Sequence, residues 1–182
     1  MTGTPIDEIF AIIRRFGDLS YGEEVSQMQH ILQCGHLARS DGASDALVAA
    51  ALLHDIGQFL DDAGNAAEKR GIDGRHEVTG ATYLAAFFSP QVTEPVRLHV
   101  EAKRYLCAVE PGYLESLSGA SSLSLSLQGG AHNEREIHEF LALPAAGDAI
   151  RLRRYDDQGK RRDWTVPDLE SYRALLQSQL RN

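Results

Sequence analysis
The chain has 182 residues, enough for one domain with a real hydrophobic core and too few for two large ones. Its 26 acidic residues outnumber 18 basic ones, for a formal net charge of -8. That balance argues against a nucleic-acid partner held by a basic face and against an anionic membrane surface. A small anionic substrate stays open, because a pocket can be locally positive inside an acidic protein. Cys34 and Cys107 are too few and too far apart for a disulfide framework or a thiolate metal site. They read as small buried apolar residues in a reducing compartment. The N-terminus lacks a positive segment followed by an apolar run, and the most apolar stretch, Ala46 to Leu53, is too short to span a bilayer. A cytoplasmic protein is the expectation.

In chain order the elements read as helices. Thr4-Pro5 is a cap followed by proline at the first helical position, and Ile6, Ile9, Phe10, Ile13 and Phe16 recur at helical spacing until Gly17. A second helix is predicted from about Val25 to Ala38. A third starts at Ser44 and carries a nearly all-apolar stretch through His54-Asp55 to Gly57. Asp61 to Gly74 is polar and glycine-containing, and reads as a loop. A fourth helix opens at His76 and runs to about Phe88. Ser89-Pro90 starts the next, which carries His99, Lys103 and Leu106. Ser122 to Leu127 alternates serine and leucine and taken alone reads as a strand, although a lone strand would be odd in this chain. Asn133 to Leu143 is helical, a helix follows Pro144 into Asp157, and the last runs from Val166-Pro167 to Leu180. With no repeat and no linker, the expectation is one all-α domain over residues 1–182.

The sharpest local feature is His54-Asp55. Two adjacent polar residues after ALVAAALL are costly if buried without partners. Metal ligation would satisfy both, and a hydrogen-bonded core pair would do the same. The wider spacing favours metal. His30, His54, His76 and His99 each fall in or at the start of a separate predicted helix, which a bundle would bring to one level. Imidazole and carboxylate together suit iron, manganese or zinc.

These residues resemble the HD-domain superfamily through His30, His54-Asp55 and Asp156, and its dinuclear members through His76 and His99. More narrowly, the chain resembles the mixed-valent diiron oxygenases of that superfamily, the phosphonate-cleaving relatives of myo-inositol oxygenase. The matching pieces are Tyr21-x-x-Glu24, VSQMQHILQ, LLHDIGQ, RHEVTGA, HVEAKRYL, SLSGASSLSLSLQGG and LRRYDDQGK, covering roughly residues 20 to 160. The resemblance implies an HD-domain helical bundle around a dinuclear metal site. It implies an Fe(II)/Fe(III) pair, with His30, His54, Asp55 and Asp156 on one iron, His76 and His99 on the other, and Asp55 bridging.

The implied reaction uses O2 to cleave the C–P bond of a 1-hydroxy-2-(amino or trimethylammonio)ethylphosphonate, releasing phosphate and glycine or glycine betaine. Asp55 and Lys103 are the residues expected at the reacting centre. Lys103, four residues after His99 and so on the same helix face, would meet the phosphonate; a solvated lysine is the plainer alternative. Arg153, three residues before Asp156, would grip a second phosphonate oxygen, against the alternative of an exposed cationic turn. Ser121 and Ser124 would donate hydroxyl hydrogen bonds, or belong to a serine-rich loop. Tyr21 and Glu24 match residues that close over the site, and would suit a substrate cation.

Asp156 is preferred to Asp157 because Asp156-x-x-x-Lys160 repeats the family spacing. Gln58 stands where relatives acting on the primary amine carry histidine, which favours an N-methylated substrate. His36, His132 and His138 have no partner in the motif set and read as surface or cap histidines. Two other readings use the same ligands: a metal-dependent phosphohydrolase acting on a phosphate ester or nucleotide, and a non-catalytic binding module.

Overall fold
The structure is a computed structural model and describes residues 3–20, 24–60 and 71–181. It is all-α. Helix α1 (Pro5–Phe16) starts where Thr4 and Asp7 form a reciprocal capping box, and it buries Ile6, Ile9, Phe10 and Ile13. Helix α2 (Gln27–Ser40) starts two residues later than expected, because Ser26 and Gln29 cap each other there. Helix α3 (Asp45–Leu53) is the central one, buried continuously from Leu47 to Leu53.

Here the expectation of a single helix running to Gly57 fails. Helix α3 stops at Leu53, the chain turns through His54-Asp55, and α4 (Ile56–Leu60) starts afresh. Close packing accounts for the small residue in α4. A Cβ on Gly57 would lie 2.0 Å from the His76 carbonyl oxygen, so only glycine lets α4 approach α5 (His76–Leu84) this closely. Of the expected loop from Asp61 to Gly74, residues 61–70 lie outside the described residues, and 71–74 are non-helical.

Helix α5 ends at Leu84 rather than Phe88, with turns over 85–87. Helix α6 (Pro90–Val109) is the longest and passes Pro95 without a break. After α7 (Tyr113–Ser116), the Ser/Leu alternation is helix and not strand. It lies in α8 (Gly119–Leu127), capped by Ser118 accepting from the Ser121 amide. At helical spacing Ser121, Ser124 and Leu125 are buried while Leu123 faces out, and among the described residues no neighbouring strand is there to stabilise the alternative. Among the described residues the one sheet-like contact is an isolated antiparallel bridge between Phe88 and Leu180.

Helices α9 (Glu134–Leu141) and α10 (Ala146–Gln158) follow. The last element starts later and ends earlier than expected, as a 3-10 turn (Leu169–Tyr172) capped by Asp168 and then α11 (Arg173–Ser178). The main core gathers α3 with the buried faces of α1, α2, α5 and α6, plus Leu152, Tyr155, Leu169, Tyr172 and Leu176. A smaller cluster under α9 joins Leu98, Ala102, Phe140, Ala146 and Ala149. Among the described residues no helix is long and apolar enough to cross a membrane.

Candidate metal centre
The bundle brings all six expected ligands together. His30 comes from α2, His54 and Asp55 from the turn between α3 and α4, His76 from the start of α5, His99 from α6 and Asp156 from α10. Nε2 of His30 lies 3.3 Å from Nε2 of His54, and Nε2 of His76 lies 3.1 Å from Nε2 of His99. Asp55 faces both pairs, with Oδ2 3.7 Å from His30 and Oδ1 3.6 Å from His54 and 3.4 Å from His76. Oδ1 of Asp156 lies 3.4 Å from His30.

Hydrogen bonding decides what these nitrogens offer. Nδ1 of His30, His54 and His99 lies 2.9, 2.9 and 2.7 Å from the carbonyl oxygens of Gly159, Ala51 and Val96. A carbonyl only accepts, so each Nδ1 carries a hydrogen, and each Nε2 presents a lone pair whenever its ring is neutral. In the His30–His54 pair the two Nε2 atoms face each other at hydrogen-bond distance, an arrangement that either a cation between them or a proton on His30 makes favourable; burial opposes that proton, but Cys34 and Asp156 outweigh it and push the His30 pKa up. Burial keeps His54 and His99 neutral, pulling their pKa values down. Burial opposes ionisation of Asp156, but Arg153 outweighs it and holds the carboxyl well below the usual range. Neutral imidazoles beside ionised carboxylates are what a metal requires. The backbone before His76 is strained, since Arg75 adopts a left-handed φ of 46°.

Cys34 also approaches the His30–His54 pair. Its thiol donates to the Tyr155 carbonyl at 3.4 Å, and burial pushes its pKa up, so it packs as a thiol. Cys107 is only half-buried.

Five of the six donors, all but His54, line a cavity of about 60 Å³. Lys103, Ser121, Ser124, Arg153 and Lys160 line it too. Lys103 is 2% exposed and donates to Ser124 Oγ at 2.8 Å, so it is not a solvated lysine. Lys160 donates to Ser121 Oγ at 3.4 Å. Gln58 lines the cavity as well. Glu24 does not: it is exposed and ion-paired with Arg162 at 2.5 Å. Tyr21 lies outside the described residues. Asp157 turns away from the histidines to Tyr113 and Arg153.

Two cavity residues escaped the sequence reading of substrate contacts. Gln27 is buried and its Oε1 has no hydrogen-bond partner among the described residues; its place three residues before His30, on the same face, was the available signal. Lys160 follows Asp156 by four. One histidine reading needs correction. His132 is buried and meets Glu101 at 2.6 Å, while His36 is half-buried and His138 exposed.

The chain is similar to known proteins over nearly its whole length. The family model of the HD domain matches residues 28–141, which contain every expected ligand except Asp156. The hydroxymethylphosphonate dioxygenase of Gimesia maris is 43% identical over 179 residues, covering 98% of this chain and 89% of the relative. The glycine-betaine-forming [1-hydroxy-2-(trimethylamino)ethyl]phosphonate dioxygenase of Leisingera caerulea is 40% identical over 176 residues, 96% of this chain and 90% of the relative. An uncharacterized protein of Acanthamoeba polyphaga mimivirus is 33% identical over 175 residues, 94% of this chain and 80% of the relative. The chain belongs to the HD-domain family, in the branch that holds these phosphonate dioxygenases.

Proposed function
We propose that this chain is an iron-dependent oxygenase that uses O2 to break the carbon–phosphorus bond of a 1-hydroxyphosphonate, releasing inorganic phosphate and a carboxylic acid. The observation that carries the reading is one small cavity lined both by candidate metal donors and by cationic and hydroxyl side chains. In this reading His30, His54, Asp55 and Asp156 hold one iron, and His76 and His99 hold a second that shares Asp55. An Fe(II)/Fe(III) pair held there supplies the redox chemistry toward O2.

The chain's own residues bind and orient the substrate. Lys103 and Lys160, with the hydroxyls of Ser124 and Ser121, take the phosphonate through charge-assisted hydrogen bonds. Lys103 stands one turn after His99 on α6, so the anion is set directly beside the metal donors. Burial of Lys103 excludes water from that contact, which strengthens it. The two named relatives differ in what the hydroxyl-bearing carbon carries, and the neutral amides Gln27 and Gln58 also line the cavity here.

The test is oxygen uptake and phosphate release by the iron-loaded chain. Hydroxymethylphosphonate and 1-hydroxy-2-aminoethylphosphonate are compared with the trimethylammonio analogue. O2 consumption matched to phosphate released is the expected result. Phosphate-ester hydrolysis under strict anaerobiosis with manganese or zinc, and no O2 uptake, would overturn the reading. An EPR signal from a mixed-valent pair checks the oxidation state.

A further inference from the structure
Arg153 has an unusual number of protein partners. Its side chain is almost wholly buried, and four of its five N–H donors go to protein groups among the described residues. Nε donates to Tyr113 OH at 3.0 Å, and Nη1 to Asp156 Oδ2 at 2.7 Å. Nη2 donates to Asp157 Oδ1 and, at 3.4 Å, to Ser121 Oγ. Tyr113 OH, having accepted from Nε, donates in turn to Asp157 Oδ2. Arg153, Tyr113 and Asp157 thus close a ring of three hydrogen bonds.

The ring fixes the plane of the guanidinium from behind, using one residue on α7 and one on α10. What it presents forward is Nη1, to Oδ2 of Asp156. The other oxygen of that carboxylate, Oδ1, faces His30. A carboxylate that held its two oxygens by rotation alone would be free to turn; this one is locked by a fork that is itself locked.

We infer that Tyr113 and Asp157 are positioning residues of the metal centre. They hold Arg153 so that it fixes Asp156 with Oδ1 toward the metal position, and Arg153 serves the metal centre more than it serves the phosphonate. The inference rests on the assignment of Asp156 as a metal ligand.

The experiment compares wild type with Y113F, D157N and R153K. Fe(II) affinity is read by anaerobic titration against a competing chelator. The KM for hydroxymethylphosphonate is read at saturating iron, and the melting temperature on the metal-free proteins. Y113F removes a single oxygen, D157N keeps the shape of the side chain, and R153K keeps the charge but cannot make the fork. The expected result is a loss of iron affinity of about 10- to 100-fold in all three. KM should stay within about twofold for Y113F and D157N, and the metal-free melting temperature within about 4 °C of wild type, the shift that about 1 kcal/mol produces in a domain of this size. Iron affinity equal to wild type would overturn the inference, whether or not KM rises. A fall in iron affinity matched by a collapse of the metal-free melting temperature in all three variants would overturn it too, as a purely structural role. A wild-type chain that binds no iron would instead overturn the metal reading itself.

Discussion

The carbonyl oxygen of Gly159 lies 2.9 Å from Nδ1 of His30, so this histidine takes its orientation from the residue that follows α10. Only glycine fits at that position. A Cβ there would lie 2.6 Å from Cys34 Sγ and 3.1 Å from the Tyr155 carbonyl oxygen. G159A is expected to move the carbonyl, loosen His30 and lower metal affinity by about 10-fold or more. Metal content by elemental analysis checks it. C34A in the same chain makes room for the methyl group and should restore much of the loss.

Lys103 is a buried cation lining the cavity proposed to take the phosphonate. Lys103→Ala removes a charge-assisted hydrogen bond of about 1.5–3 kcal/mol, which is about 10- to 150-fold in substrate affinity. Steady-state kinetics should show KM raised by that order while bound iron stays at the wild-type level. Equal loss of iron would place Lys103 with the metal centre instead.

Among the described residues, Gln27 leaves a buried Oε1 without a partner. Such an atom costs about 1–3 kcal/mol in the free protein, and a ligand with a donor group can recover it. Q27L is expected to leave the ligand-free melting temperature unchanged or raise it. The same variant should lose part of the stabilisation that saturating hydroxyphosphonate confers on wild type. Thermal-shift titration measures both.

The C-terminal helix is tied to α1 by a charge network that sets an acid limb. Thr4 and Arg173 hold Asp7 at about 2, and Arg173 with Arg14 holds Glu170 at about 2. Both folded values lie below the unfolded ones of about 4. The stabilisation is therefore fully present above about pH 4.5 and is lost as pH falls toward 2. R173M should flatten stability across that window and leave its slope at neutral pH alone. Urea unfolding at pH 5 and pH 3 gives the comparison.

Much of the architecture was legible because its causes are local. Thr4, Ser26, Ser44 and Asn133 cap helices within three residues of themselves, and the apolar run 46–53 marks the central helix wherever it packs. The misreadings arose where a local pattern was ambiguous. Ser122 to Leu127 satisfies period 2 over six residues, and only the absence of a neighbouring strand makes it helix. The break after Leu53 follows from α4 meeting α5 at Gly57, a contact 19 residues away in sequence, which no periodicity registers.

The candidate site divides along the same line. Residue type and spacing pointed to His30, His54, Asp55, His76 and His99 as candidate donors, because a metal needs those groups and separate helices can bring them to one level, while the full ligand set and the preference for Asp156 over Asp157 rest on the family resemblance. The tertiary structure decided the rest. For His30, His54 and His99 it turned Nε2 inward by giving Nδ1 a carbonyl, the one at His30 lying 129 residues distant in sequence. It left Glu24 at the surface, put Gln27 in the cavity and gave Arg153 to Tyr113 and Asp157. A side chain's identity is written in the chain, but the lone pair it offers depends on which distant backbone or side-chain atom claims its hydrogen.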